Sequence, residues 1–182
     1  TPLYSSAASD VYKRQIHGWP IIKAAVPAAE LHLYYGFTER DAGPDNKPWR
    51  DRLLALIESS PDVTDHGMVG YQQLMAEKAR STIQYYACTY EEVDCVSVRE
   101  SAVVGCVPVV TDFAVFIEKD YCVRVGGPPS DPATQRAVAE KVVELLQNPD
   151  LLAQERDRCR EIAIKDTWER SAAAWLEVIE SN

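Results

Sequence analysis

The chain has 182 residues, a length that suits one domain or one lobe of a larger enzyme. Its formal charge of -9 creates no long-range attraction for a polyanion, and its three His and scattered Lys and Arg form no basic patch, so general nucleic-acid binding is excluded. No apolar run approaches the ~20 residues that a transmembrane helix needs.

Residues 1–15, TPLYSSAASDVYKRQ, lack the apolar stretch of a signal peptide and match neither helical nor strand periodicity. They are expected to lie outside the fold, as a non-native or disordered leader joined to a partial coding sequence. From residue 16 onward, short apolar strands alternate with amphipathic segments. IHGWPIIKAAVP reads as a helix ending near Pro27. ELHLYYGF reads as a strand stopped by Gly36, followed by the polar loop TERDAGPDNKP. WRDRLLALIESS places Trp49, Leu53, Leu54 and Ile57 at helical spacing. DHGMVG reads as a short strand ending in glycine, YQQLMAEKARS as a helix, and TIQYYACT as a strand rich in β-formers.

The segment Thr89–Glu100 then carries four acids: Glu91, Glu92, Asp94 and Glu100. CVPVVTD and CVRVGG read as two further strands. Asp131-Pro132 and Asn148-Pro149 each join a capping side chain to a proline suited to the first helical position, which predicts two helices. Asp166, with Glu169 three residues on, predicts a third helix whose stripe is Trp168, Ala172, Trp175 and Ile179.

Apolar strands separated by helices predict an α/β fold with a Rossmann-like parallel sheet and helices on both faces. The expected division is a leader over 1–15, a binding domain over 16–165 and a C-terminal helix over 166–182. Five cysteines, an odd number with no C-x-x-C and mostly apolar flanks, read as buried free thiols of a reducing, cytoplasmic setting. A zinc site is not expected, because no His lies near a Cys pair at ligand spacing.

In an open α/β sheet, ligands bind beyond the carboxyl ends of the strands. That rule selects the loop after Tyr35, the turn Gly67–Gly70, the segment Thr89–Glu100 and the loop after Asp112. A helix following Thr89–Glu100 points its N-terminus into the crevice, where anions and phosphates are held. On composition alone, Glu91 and Glu92 also read as solvated loop acids, and Glu100 as a complement to the helix dipole. Their clustering at the predicted mouth, with Gly105 and Pro108 between helix and next strand, favours a site.

Glu92, seven residues and Glu100, continuing into SAVVGCVPVVTD, resemble the Glu-x7-Glu signature of retaining glycosyltransferases with the GT-B fold, of the glycogen synthase and sucrose synthase type (family 4, or group 1). ELHLYYG, the stretch DHGMVG to TIQYYACT, and the terminal helices with their Trp resemble that family's landmarks in order. The resemblance spans residues 16–182 and corresponds to the C-terminal, donor-binding lobe. It implies transfer of a hexose from a nucleotide-diphosphate sugar with retention. It makes Glu92, against the donor sugar's hydroxyls, the candidate catalytic residue. Glu100 would accept from the two ribose hydroxyls, which suits a carboxylate with two acceptor oxygens. The backbone near Cys95 and Val96 would meet the sugar and phosphate, and the turn at Met68-Val69 would lie against the base.

The resemblance implies no cofactor and no metal, and the chain contains no D-x-D motif. Asp94 stands where an aromatic is more typical. The family's Arg and Lys–Gly that grip the diphosphate, and its N-terminal acceptor domain, would lie before residue 16, so the chain alone is expected to be inactive. A nucleotide-sugar-binding or regulatory module without catalysis is the alternative. The terminal stripe has two open outcomes: exposure for lack of a partner domain, or burial of Trp168 and Trp175 on the lobe's own helices.

Overall fold

The structure is a computed structural model and describes residues 2–5, 9–34 and 47–181. The glycine stop at Gly36 and most of the loop after it, within residues 35–46, lie outside the described residues. Six parallel strands form one sheet: β1 (Pro2–Ser5), β2 (Glu30–Leu33), β3 (Val63–Asp65), β4 (Ile83–Tyr86), β5 (Val107–Thr111) and β6 (Val123–Val125). The seven helices among the described residues are α1 (Ser9–Ala25), α2 (Lys47–Ser59), α3 (Tyr71–Arg80), α4 (Val96–Val103), α5 (Pro132–Gln147), α6 (Pro149–Ala163) and α7 (Trp168–Glu180). A short 3-10 helix, Ala114–Glu118, joins β5 to β6.

The strand order is β3-β2-β1-β4-β5-β6. The chain builds outward from β1 on one side, then crosses to β4 and builds outward on the other. The switch point therefore falls between β1 and β4, and a crevice opens there at the carboxyl edge. Helices α1 and α5 pack together over one face, while α3, α4 and α6 cover the other. All residues of β4 and β5 are buried, the polar Gln84 and Thr111 included, so neither strand alternates between core and solvent.

The leader expected over 1–15 is corrected. Pro2–Ser5 pairs in parallel with both β2 and β4, and α1 begins at Ser9 with Val11, Tyr12 and Gln15 buried. The physical reason is the topology: a strand has to fill the slot between β2 and β4, and α1 has to cover it. Tyr12, Ile16, Trp19 and Ile22 give α1 its buried stripe, and Trp19 Nε1 donates to the Pro61 carbonyl at 2.7 Å.

A second correction concerns β3, which occupies Val63–Asp65 rather than Asp65–Gly70. Gly67 N–H donates to Asp65 Oδ1 at 3.0 Å and Gly67 sits at φ +62°, so an Asx turn ends the strand early. Asp131 and Asn148 cap α5 and α6 as the Asp-Pro and Asn-Pro pairs predict. For α7 the cap is Thr167, whose Oγ1 accepts from Arg170 N–H at 3.3 Å. Asp166 is held instead by Arg99.

Gly105 ends α4 at φ +85°, with Cys106 N–H donating to Ser101 at 2.9 Å and Gly105 N–H to Ala102 at 3.1 Å, the paired bonds of a Schellman motif. Gly18 serves another purpose. A Cβ there would meet the Tyr85 hydroxyl at 2.1 Å, so its absence lets α1 lie against β4. That hydroxyl is buried without a hydrogen-bond partner. Gly18→Ala is expected to destabilise the chain by about 2 kcal/mol through overpacking. Tyr85→Phe removes an unsatisfied group, is expected to be neutral or stabilising, and should recover most of the loss in the double variant. Urea unfolding of the four proteins checks this; equal losses with and without the hydroxyl would contradict the contact.

Candidate functional site

Tyr86 ends β4, and the chain runs through Ala87–Cys95 before α4 begins. The turn into α4 is made at Cys95, which adopts the left-handed conformation at φ 50°, ψ 66°. That conformation is costly for a non-glycine residue, by about 1 kcal/mol or more, and persists only where the surroundings impose it. The Cys95 side chain makes no capping bond to the helix. The first N–H groups of α4 lack intrahelical acceptors, as in any helix, and this N-terminus lies beside the switch point. Burial pushes the Cys95 thiol up to about 11, despite its hydrogen bond with Tyr86, so it stays protonated at neutral pH. All five cysteines are free, and Cys88, Cys106, Cys122 and Cys159 are buried.

The two signature acids sit on either side of this turn. Glu92 Oε1 accepts from the Tyr86 hydroxyl at 2.6 Å. Burial, and then the neighbouring Cys95 and Glu92, hold that phenol far above its ordinary pKa, so it is a permanent donor. Glu92 lines a depression of about 390 Å³ with Glu91, Val93, Phe113, Ala114 and Val115. Glu100 is in the second turn of α4 and does not open the helix, which starts four residues earlier at Val96. It lines a separate depression of about 330 Å³ with Tyr71, Met75, Val96, Arg99 and Trp168. The sequence reading expects one crevice for both acids. The structure gives each its own depression.

Glu100 has a partner that the sequence reading missed. Lys78, from α3, has a fully buried side chain, and its Nζ lies 2.7 Å from Glu100 Oε2. The same ammonium donates to the Ser97 carbonyl at 2.9 Å and to Ser97 Oγ at 3.1 Å. Burial drives the Lys78 pKa down, while the hydrogen bond and charge of Glu100 oppose that shift. Tyr71, the first residue of α3, faces the same carboxylate, whose charge and hydrogen bond raise the phenol's pKa. In the sequence, Lys78 lies on the inward face of an amphipathic helix and reads as one more surface cation. Only the packing of α3 on α4 reveals its role.

Of the remaining candidates, Met68 is exposed in the Gly67–Gly70 turn, while Val69 tucks against the small cluster of Tyr34 and Cys106. His66, just before the turn, stacks flat on Tyr34 with ring centroids 4.4 Å apart. Burial and the charge of His32 lower the His66 pKa. Val96 is exposed at the start of α4. Among the described residues, no three His, Cys, Asp or Glu side chains are grouped so as to hold a metal ion. No helix among them is long and apolar enough to cross a membrane.

Asp94 is tied into a network. Its two oxygens take Arg99 at 2.9 Å and Lys119 at 3.0 Å, and Arg99 reaches on to Asp166 at 3.0 Å. Arg99 also lies over the Trp168 ring, 5.9 Å from its centroid. The turn before α4 is thereby linked to the 3-10 helix and to the start of α7. The stripe of α7 itself is exposed: Trp168 is 77% and Trp175 69% accessible, and the helix has no buried residue. Of the two outcomes left open by the sequence, exposure is the one found.

No protein-family model and no curated protein matches the sequence. Solved structures do match its fold. HepE of Anabaena, in complex with UDP and glucose, superposes with a TM-score of 0.77 at 13% identity, over 100% of this chain and 48% of its own. A UDP-forming α,α-trehalose-phosphate synthase from Burkholderia xenovorans gives 0.74 at 17% identity, over 99% of this chain and 43% of its own. TarM of S. aureus, in a complex that includes UDP, gives 0.74 at 15% identity, over 97% of this chain and 34% of its own. The fold is therefore the Rossmann-like C-terminal lobe of GT-B enzymes, and the chain spans less than half the length of these neighbours.

The Asp94 network makes a pH prediction. Burial pushes the Asp94 carboxyl up, but Lys119 and Arg99 outweigh it and leave its pKa below the ordinary aspartate value. A group depressed on folding contributes stability above its unfolded pKa of about 4, and loses that contribution as pH falls through the folded value. Asp94 is partly exposed, so solvent screening limits the contribution to about 1 kcal/mol or less. Asp94→Asn is expected to be less stable than the parent near neutral pH, with the gap closing as pH falls below the ordinary aspartate value of about 4 and through the lower folded one. Denaturant midpoints at neutral and acid pH check this; a gap that does not change with pH would contradict it.

Proposed function

We propose that this chain is the donor-binding lobe of a nucleotide-sugar-dependent glycosyltransferase of the retaining family 4 type, transferring a hexose. The observation that carries the proposal is the segment between β4 and α4. It lies at the carboxyl edge beside the switch point and leads into an uncapped helix N-terminus, with Glu92 before it and Glu100 one turn beyond it, each carboxylate in its own depression. The UDP named with HepE and with TarM supports the same reading.

In this proposal the ribose diol donates to Glu100 and the base lies against the Met68-Val69 turn. The diphosphate meets the N–H groups at Cys95 and Val96, and the donor sugar's hydroxyls meet Glu92. Transfer breaks the bond between the anomeric carbon and the diphosphate oxygen and forms one to an acceptor hydroxyl oxygen on the same face. The acceptor's proton leaves with the diphosphate or to solvent. The protein's part is to stabilise the charge that develops on the departing diphosphate, which oriented N–H donors do without reorganising. The donor set needs no metal and no further cofactor.

Transfer requires donor and acceptor to be held together between two lobes, so this lobe alone binds nucleotide and transfers nothing. The missing partner is an N-terminal acceptor domain, against which the exposed α7 stripe would rest. A cytoplasmic setting is supported by the five free thiols.

Calorimetry with UDP, GDP and ADP tests the proposal. One of the three is expected to bind, and Glu100→Ala is expected to weaken it about tenfold or more, the worth of hydrogen bonds to a charged acceptor. Absence of binding by all three, or an unaltered affinity in Glu100→Ala, would overturn it.

A further inference from the structure

We infer that Lys78 is a positioning residue, which holds one oxygen of the Glu100 carboxylate and so orients the other, on the side of Tyr71, toward a ribose diol. The inference rests on the proposed role of Glu100 as the ribose acceptor. Lys78 is one of the few charged groups that the fold buries, with no side-chain surface left exposed. An ammonium is rarely buried unless paired, because removing it from water costs several kcal/mol. Packing alone does not call for it, since Met or Leu would fill the same space between α3 and α4.

The ammonium has three donors. It makes a bond to the Ser97 carbonyl, a bond to Ser97 Oγ and the ion pair with Glu100 Oε2, and all three partners are on α4. Gln84 Nε2, from β4, lies 3.4 Å from the same Ser97 Oγ and steadies that acceptor from the sheet side. The position of the ammonium is therefore fixed by the backbone of α4 and by the sheet, not by Glu100 alone. Glu100 in turn keeps part of its carboxylate open, with its side chain 20% accessible and facing Tyr71 and the depression beside it. A free glutamate would sample several rotamers and lose entropy on binding a diol. One with an oxygen already pinned has lost that freedom in advance, which is the advantage of preorganisation.

The effect on binding is specific. Loss of a strut between α3 and α4 would weaken ribonucleotides and deoxyribonucleotides alike. Loss of carboxylate orientation would weaken only the contribution of the hydroxyls. The experiment compares the chain, Lys78→Met and Lys78→Gln for affinity toward whichever of UDP, GDP and ADP binds tightest, and toward its 2′-deoxy and 3′-deoxy forms. Circular dichroism and unfolding midpoints establish that each variant is folded. Lys78→Gln retains a donor for the Ser97 carbonyl and serves if Lys78→Met does not fold.

The parent is expected to prefer the ribonucleotide about tenfold or more over each deoxy form, and the folded Lys78 variant is expected to reduce that ratio to within about threefold. A parent without preference overturns both the Glu100 reading and this inference. A parent with the preference, together with a Lys78 variant that keeps it, leaves Glu100 in place and overturns the role of Lys78 alone.

Discussion

A parallel sheet has to be covered on both faces, and each helix that covers it must start where a strand ends. In this chain that constraint brings helix N-termini to the carboxyl edge, because every paired strand runs the same way. The crossing from β3 to β4, which pairs with β1, parts the helices at the centre of that edge. The segment after β4 therefore stands at the mouth of the crevice, whatever its sequence. Glu92 and Cys95 stand there, with Glu100 one turn into α4, and the buried strands Ile83–Tyr86 and Val107–Thr111 fix that place.

The polar groups around the mouth are organised by burial. Tyr86, buried in the core, turns its hydroxyl to Glu92, and Lys78, buried beneath α4, turns its ammonium to Glu100. Glu92 and Glu100 are thus each anchored from below by a buried donor. The surface ion pairs of Asp94, Arg99, Lys119 and Asp166 act on a different level. They brace the turn laterally against the 3-10 helix and the start of α7, and solvent screening keeps each pair weak. The aspartate that departs from the aromatic typical of the resembled family serves in that brace rather than in a gap.

Much of this was legible in the sequence where local rules act alone. The Asp131-Pro132 and Asn148-Pro149 starts, the Gly105 stop and the largely apolar strand Val107–Thr111 are all set by capping, φ and hydropathy, and these need no tertiary knowledge. The misreadings share a cause. Residues 1–15 carry no periodic signal, yet Pro2–Ser5 form a strand and α1 begins at Ser9. The end of β3 depends on an Asx turn at Asp65, and the cap of α7 on which of two adjacent residues is taken by Arg99. Lys78 is the clearest case. Its partner lies 22 residues away in the chain, so its place on the inward face of α3 does not say what it pairs with. Neither the division of the two acids between separate depressions nor the left-handed turn at Cys95 has a local sign in the sequence.

The central claim is that a nucleoside diphosphate sits on this segment with its ribose on Glu100. The most direct measurement is a crystal structure of the chain with the tightest-binding of UDP, GDP and ADP. The account predicts both ribose hydroxyls within about 3 Å of the Glu100 carboxylate, beside Tyr71 and Val96, with the diphosphate at the N-terminus of α4. A nucleotide seated elsewhere, such as the cleft between α1 and α5 lined by Lys13, Arg14, His17 and Arg136, would contradict it.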